Sequence, residues 1–432
     1  MRDDTIFALS TARGRAAIGV VRVSGPGAGP ALDRLAGRRP EPRGLRLAGL
    51  RRPSGEIIDR ALVLWFEGPA SETGEDMAEF HVHGGPAVIA SLLEALAAVP
   101  GCRMAEPGEF TRRAFENGKL DLSQAEGIAD LVAAETEAQR RQALRQSDGA
   151  FAKLVEGWAA RLTGALARLE AAIDFADEEL PSDLAARARG EAEAVGAEIA
   201  AHLADGHRGE LVRGGLSVAI TGPPNSGKSS LLNALAGRDA AIVSATAGTT
   251  RDVIEVQLDL AGYQVVLADT AGLRDSDDPV EAEGIARARA RAAAADLVLR
   301  VEPAATAGPA APDARTIRVL NKIDLLDHRP GPAPGTVLVS VLTAEGLPDL
   351  VAALAARAES LLAGPPPIVT RVRHRAALED CRASLVRLSS AGEAALAAED
   401  LRLALRALGR ITGPVGVDDL LDLIFGEFCI GK

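Results

Sequence analysis

Lysine is almost missing from this chain of 432 residues. Of 48 Lys and Arg side chains only five are lysine: Lys119, Lys153, Lys228, Lys322 and Lys432. Aromatic residues are also scarce, with nine Phe, two Trp and one Tyr. Together with heavy alanine use, this reads as a background drift toward Ala and Arg, so a surviving lysine can mark a place that a planar guanidinium does not fill, with Lys153, which falls in no motif, read as a surface charge. Cys102, Cys381 and Cys429 are too few and too scattered for a disulfide framework or a zinc ribbon, which suits a reducing cytosol. Cys102 and Cys381 carry no motif and read as structural. No run of 18 apolar residues occurs, and the start MRDDTIF lacks the layout of a signal peptide. The expectation is a cytoplasmic protein without a membrane span. A net charge of −12 excludes the chain as a whole as a polyanion binder, so nucleic-acid contact needs a local basic patch or a partner.

What is present is ordinary globular composition, 47% hydrophobic and 25% charged, at a length that suggests two or three domains. Residues 1–117 mix short strand-like runs, AAIGVVRVSG (16–25), ALVLWFE (61–67) and MAEFHVHGG (77–85), with a helical run from Pro86 to Ala98. The Gly84-Gly85 pair reads as a turn, and His81 and His83 as structural, since metal-ligand company is lacking. From 118 to 210 the pattern becomes long Ala/Leu/Arg/Glu-rich helical periodicity. Residues 211–363 alternate strand and helix. LSVAITG precedes a helix stopped by Gly237, VIEVQLDL and YQVVLADT pair across a turn at Gly262, and TIRVLNKID and TVLVSVLT are further buried strands. After the AGPPP linker (363–367), residues 364–432 return to helical periodicity. An α/β domain inserted into a discontinuous all-α domain, behind an α+β N-terminal domain, is the economical reading; the pattern alone also allows two separate helical domains.

The α/β region carries the chemistry. GPPNSGKSS (222–230) satisfies G-x-x-x-x-G-K-[ST] between a strand and a helix. There, backbone N–H groups of Asn225, Ser226, Gly227 and Ser230 and the helix N-terminus surround phosphates, Lys228 supplies a compact charge at β and γ, and Ser229 binds magnesium. DTAG (269–272) ends a strand and places Asp269 to hold magnesium through water, with Thr270 and Ala271 leading to the Gly272 N–H near the γ-phosphate. AGTTRD (247–252), preceded by Ser244, Ala245 and Thr246, follows Ala247 and Gly248 with Thr249 and with Thr250, the second hydroxyl ligand of magnesium. In NKID (321–324), Asp324 accepts from guanine N1–H and the 2-amino group, which adenine does not offer in the same way. Asn321 braces the loop and the Lys322 stem lies along the base, ahead of Ile323. In this order and spacing the motifs specify guanine and a GTP hydrolase. The position after DTAG is Leu273, which neither orients nor deprotonates water; Asp275, Asp277, Asp278, Glu281 and Glu283 follow, and composition does not choose among them.

Two further stretches are far more specific than these motifs, AEPGEFTRRAFENGKLDLSQAEGIADL (105–131) and the terminal FCIGK (428–432), and they stand beside the switch AGTTRD and DTAGLRD with VEAEGI behind it. With them the chain resembles the MnmE (TrmE) family of bacterial tRNA modification GTPases, within the TrmE-Era-EngA-like class, over essentially its whole length. The resemblance implies a tetrahydrofolate-binding, dimerising N-terminal domain (1–117), a discontinuous helical domain (118–210 and 364–432) and a Ras-like G domain (211–363). It implies Glu281 as the catalytic glutamate, acting through a bridging water. It further implies a potassium ion held by Asn225, Ser244, Thr246 and Thr249, standing where an arginine finger otherwise places charge, and G domains that associate as GTP turns over. For Asn225 the alternative is a turn residue that braces the P-loop.

Arg22, Glu79, Lys119 and Lys432 match the family's contacts to 5-formyltetrahydrofolate or a related tetrahydrofolate. Glu79 would pair with pterin N–H groups, and the three cations with carboxylates or carbonyls. Cys429 matches the cysteine of the family's C-x-G-K end, where a thiol role is an option beside a plain small apolar one. The implied partners are tRNA, a second copy in a homodimer, and an FAD-containing MnmG/GidA-type protein in a heterotetramer, together modifying C5 of wobble uridine with an aminomethyl or carboxymethylaminomethyl group.

Two stretches depart from the family pattern. SVLTAEG (340–346) has Val341 where the usual loop has Ala, with Ser340 and Leu342 beside it, and Val341 still offers a backbone N–H to the base. LVLRVEPAATAGPAAP places Arg300 and a Pro/Ala-rich segment where an apolar strand is usual, which leaves its local conformation open. An Era/Der-type ribosome-assembly GTPase is the runner-up, but no GXXG-centred KH pattern follows residue 363 and the P-loop occurs once. A folate enzyme acting alone through residues 1–117 is a third reading. If the lysine reading holds, Lys→Arg at 228, 322, 119 and 432 each lowers GTP turnover or folate affinity, while Lys153→Arg leaves both unchanged; paired turnover and binding titrations check this.

Overall fold

The computed structural model describes residues 4–174, 181, 183–238, 240–242, 255–269, 293–309, 313–329, 331, 333–390, 393–413, 418–426 and 428–431. Two compact units divide the chain. The first is Met1–Ala129, Gln146–Thr163 and Arg402–Lys432; the second is Asp130–Arg145 and Gly164–Leu401.

In the first unit the elements are β1 (Thr5–Leu9), β2 (Ile18–Ser24), α1 (Ala28–Ala36), β3 (Leu45–Arg51), β4 (Ile57–Phe66), β5 (Met77–His83), α2 (Pro86–Ala97), β6 (Cys102–Met104), α3 (Glu109–Glu116) and α4 (Leu122–Ala133), which ends in the second unit. The strands form one sheet in the order β3-β4-β5-β2-β1-β6, antiparallel except for the parallel β1–β6 pair. Alternation decides its faces: Val21, Val23, Val63, Trp65, Ala78, Phe80 and Val82 are buried against Leu32 and Leu35 of α1 and Leu92 and Leu96 of α2. Arg22, Glu79 and His81 point to the opposite face.

The C-terminal tail closes this unit. Gly108 has φ +66, and a Cβ there would overlap the Phe425 carbonyl of the terminal helix, so only glycine admits the approach. Phe425 and Phe428 pack with Leu122 and Ala125, and Ile430 bridges Pro107. Gly431 sits against the Leu9 carbonyl at the end of β1. The two stretches most specific in the sequence, 105–131 and FCIGK, are therefore packed on each other.

The same unit holds a buried ion cluster. Arg113, 1% exposed, donates to Asp4 Oδ1 at 3.0 Å, Glu75 Oε2 at 3.1 Å and Glu109 Oε1 at 3.1 Å. Arg103 also donates to Glu109 and to Asp4. Burial alone raises the Glu109 carboxyl, but the hydrogen bonds from Arg103, the Glu106 amide and Arg113 outweigh it and hold its pKa below the ordinary value.

The second unit takes in α5 (Glu137–Ser147) up to Arg145 and α6 (Ala150–Asp174) from Gly164. It continues through α7 (Leu184–Leu203), α8 (Arg208–Gly214), β7 (Leu216–Thr221), α9 (Lys228–Ala236), β8 (Glu255–Leu260), β9 (Tyr263–Asp269), β10 (Leu297–Pro303), β11 (Thr316–Asn321), β12 (Thr336–Val339), α10 (Leu347–Leu362) and α11 (Val372–Ser390). α12 (Ala394–Thr412) begins in the second unit and ends in the first, where α13 (Asp418–Gly426) follows. The sheet order is β12-β11-β10-β7-β9-β8, parallel except for the antiparallel β8–β9 hairpin. Ala261 and Gly262, both at positive φ, make the hairpin turn expected at Gly262. Val218, Ile220, Leu299, Val301 and Val319 of the central strands form the core with Leu231, Leu232 and Leu350 of the covering helices. The stretch around Arg300 is a regular central strand: Leu297, Leu299 and Val301 are buried, while Arg300 lies on the other face and pairs with Glu302 at 2.6 Å.

The α/β region joins the helices through two neighbouring crossings. Asp130 Oδ1 accepts from Arg213 on the way in at 2.9 Å and from Arg371 on the way out at 2.7 Å. Arg375 in α11 adds a second tie, donating to Asp205 and Glu210, each at 2.9 Å. α7 and α11 pack against each other, and Val195, Ile199, Leu378 and Leu385 on them are buried. Cys381 lies in α11 without exposure, and burial pushes its thiol up to about 12, in keeping with a structural role.

Replacing Arg113 by Met leaves Glu75 without a cationic partner and Asp4 and Glu109 with Arg103 alone, and is expected to destabilise the first unit by roughly 3–5 kcal/mol in denaturant unfolding. Because the Glu109 pKa is lowered on folding, its contribution is present above the ordinary carboxylate range and is lost as pH falls through the depressed value. Unfolding midpoints should therefore drop as pH falls through and below the ordinary carboxylate range, with a shallower slope for Glu109→Gln.

Candidate functional site

The C-terminal end of β7 is flanked by β9 on one side and β10 on the other, the crevice where strand order reverses and where open α/β sheets take ligands. The loop 222–227 leaves β7 there and enters α9. Gly222 has φ +145 and faces the Val301 carbonyl, Asn225 has φ +59, and Gly227, with φ +96, starts the helix without a side-chain cap. A helix N-terminus without a side-chain cap suits an anion, which the helix dipole favours. Lys228 Nζ donates to the Gly222 carbonyl at 3.1 Å and the Pro223 carbonyl at 3.0 Å, which holds its ammonium along the loop. Ser229 and Ser230 are exposed on the first helical turn, and Asn225 is exposed at the loop tip.

The base-side motif supports this loop directly. Asn321, 2% exposed at the end of β11, donates through Nδ2 to the Ser226 carbonyl at 2.8 Å and accepts through Oδ1 from the N–H groups of Lys322 at 2.8 Å and Val341 at 3.2 Å. These bonds make Asn321 a brace between loops. A Cβ on Gly227 would overlap Asn321 Nδ2, so this glycine answers to the brace as well as to its own φ. Lys322 adopts φ +65 and turns the chain into a short 3-10 segment, Ile323–Leu325, with Ile323 buried. Asp324 is exposed rather than buried, and its Oδ1 already accepts from Ser340 Oγ at 2.5 Å. The Val341 N–H, expected to face the base, is engaged by Asn321. Leu342 is 86% exposed beside it.

Asp269 ends β9 next to Ile220 of β7, which sets its backbone beside the P-loop. Ser244, Ala245, Thr246, Ala247, Gly248, Thr249, Thr250, Thr270, Ala271, Gly272, Glu281 and Lys432 lie outside the described residues.

In the first unit the sequence-selected charges do come together, but on each other. Arg22 and Glu79 are direct cross-strand partners on β2 and β5, with Arg22 Nε donating to Glu79 Oε1 at 3.1 Å. Glu72 lies 2.7 Å from Arg22, and His81 Nε2 is 3.0 Å from the other Glu79 oxygen. Sequence reasoning misses Glu72, which sits in an irregular loop where no periodicity announces a contact. Lys119 donates to the Pro69 carbonyl of the same loop at 2.8 Å. Cys429 is exposed near the tail end. Among the described residues no cluster of His, Cys, Asp and Glu with metal-ligand geometry occurs, and no helix is long and apolar enough to cross a membrane.

A strand, a glycine-bent phosphate loop on a helix N-terminus and an Asn-Lys-x-Asp turn bound to that loop define a P-loop GTPase. Comparison with known proteins narrows the class. Residues 122–429 match the model of the MnmE helical domain, and residues 5–119 match that of the GTP-binding protein TrmE N-terminus. The tRNA modification GTPase MnmE of Rhodospirillum rubrum is 56% identical, over 100% of both chains. Its counterpart in Parvibaculum lavamentivorans is 57% identical, over 99% of this chain and 100% of that one. The chain belongs to the MnmE family.

The brace has a measurable consequence. Gly227→Ala places a methyl group against Asn321 at a positive φ, and is expected to lower the stability of the nucleotide-free second unit by about 1–3 kcal/mol, read from denaturant unfolding. Nucleotide affinity should fall with it.

Proposed function

We propose that this protein hydrolyses GTP in the service of tRNA wobble-uridine C5 modification. The observation that carries the reading is the full-length similarity to proteins named tRNA modification GTPase MnmE, held by a chain whose guanine-type motif is wired to its phosphate loop. Its domains are assigned as 1–117, 118–210, 211–363 and 364–432. Asn225, Ser226, Gly227, Lys228, Ser229 and Ser230 hold the phosphates, with Ser229 and Thr250 on magnesium. Asp324 reads guanine, once the base displaces or shares its Ser340 hydrogen bond. Asn225, Ser244, Thr246 and Thr249 coordinate potassium, and Glu281 positions the attacking water through a second water.

The N-terminal sheet face takes a tetrahydrofolate one-carbon carrier. The Arg22–Glu79 pair supports this assignment in a specific way: two largely buried groups of opposite charge that neutralise each other are held ready for a ligand that presents both donors and acceptors, and Lys119 reaches the same loop as Glu72. The protein works in the cytoplasm as a homodimer with tRNA and an FAD-containing MnmG/GidA-type partner, which supplies the flavin chemistry.

Nucleoside analysis of tRNA from cells lacking the gene should show wobble uridines without the C5 group; unchanged nucleosides would defeat the proposal. For the mechanism, GTP turnover should be faster in potassium than in sodium, and Glu281→Ala should lower it by roughly 100-fold or more. Equal rates in the two ions would remove the potassium assignment.

A further inference from the structure

The segment Asp130–Arg145 is packed in the second unit, while the chain on both sides of it, up to Ala129 and from Gln146 to Thr163, belongs to the first. It is a short excursion, the end of α4 and most of α5, and its contacts are not scattered. The Ala138 N–H donates to the Gly262 carbonyl at the tip of the β8–β9 hairpin, at 3.1 Å. Gln139, 8% exposed, donates through Nε2 to Gln264 Oε1 on β9 at 2.6 Å and to the Arg213 carbonyl at 3.1 Å. Its Oε1 accepts from the Glu135 and Thr136 N–H groups at the start of α5, at 3.0 and 3.1 Å. One buried amide thus caps the helix and grips both the hairpin and the approach to β7. Asp130, at the other end of the excursion, holds Arg213 and Arg371.

The hairpin is well placed to move. β8 follows directly on the segment 243–254 and β9 leads directly into 270–292, the two stretches that carry the γ-phosphate-sensing residues of the sequence motifs. β8 is also the outermost named strand of its sheet, paired along its length by β9 and, among the described residues, on its other side only by the short bridge of Ala240, Ala241 and Ile242. An edge hairpin between two nucleotide-responsive segments has fewer contacts opposing a shift than a central strand, and its tip is bonded to α5 rather than to solvent.

We propose that the Asp130–Arg145 excursion is the lever by which the nucleotide state of the second unit is passed to the first, with Gln139 as the residue that couples α5 to the β8–β9 hairpin. The inference rests on the GTP-switch reading above, because it needs the hairpin to respond to nucleotide. Gln139 and Gln264 touch neither the phosphate loop nor the base-side motif, so they are positioning residues and not catalytic ones. A merely structural amide would also cap α5, but its loss would not change what nucleotide does to the rest of the chain.

Hydrogen exchange of the full-length protein with GDP and with a non-hydrolysable GTP analogue tests this. Gln139→Glu keeps the Oε1 cap of α5 while turning the donor toward Gln264 into an acceptor, and Gln264→Met removes the acceptor and leaves α5 untouched. In the parent, exchange should differ between the two nucleotides in the hairpin, in 130–145, and in the flanks 122–129 and 146–163. In both variants the difference should persist in the hairpin and shrink to less than about half in the flanks, with GTP turnover within about twofold of the parent. Flank differences of parental size in both variants would overturn the lever. A parent whose hairpin responds while its flanks do not would also overturn it, leaving the GTPase reading intact; a parent with no nucleotide response anywhere would sink both.

Discussion

A single carboxylate sets the layout of the second unit. Asp130 binds Arg213, just before the chain enters the α/β region, and Arg371, just after it leaves. That bridge ties the entry and the exit of the α/β region to one side chain of α4. Arg375 doubles the tie through Asp205 and Glu210. Apart from Arg213 these groups are largely buried, so each ion owes its solvation to its partners, and removing one leaves the others in an unfavourable place. Such an arrangement contributes less net stability than its number of bonds suggests, but it penalises every alternative path of the two crossings.

The nucleotide site holds a second tie of a different kind. Asn321 is neutral, and its side-chain amide satisfies one carbonyl and two N–H groups. Phosphate and base motifs 95 residues apart thereby become one rigid object before any ligand arrives. Preorganisation of this sort spares the ligand the cost of ordering the loops. It also explains why Gly227 sits where it does: both its backbone conformation and the neighbouring amide exclude a side chain.

Much of this is legible from residues alone. The phosphate loop, the helix stop at Gly237 and the turn at Gly262 follow from local chemistry, and the structure has all three. The strand β3 is not legible: Leu45 and Leu47 are exposed, so its apolar positions fall on the wrong face for a pattern reading. β1 is buried on both faces, so TIFAL shows no alternation, and the three-residue β6 is too short to show any pattern. Arg113 reads only as part of a motif, because a charged residue inside FTRRAF gives no hint of full burial until Asp4, Glu75 and Glu109 are brought around it. In the same way Arg22 and Glu79 stand in the sequence as separate ligand contacts, and strand pairing makes them partners.

What the sequence determined by itself is the chemistry carried within a few residues of one another: a phosphate loop, a guanine-type turn, a glycine hairpin and the order of α+β, helical and α/β segments. These depend on backbone preferences and spacing, which are local. Only the tertiary structure decided which charges neutralise which, that the tail meets the 105–131 stretch, and that Asp130–Arg145 of the helical region stands in the nucleotide-bearing unit. Those outcomes depend on burial and on contacts between residues far apart in the chain, where a charge is stabilised by whatever the fold sets beside it.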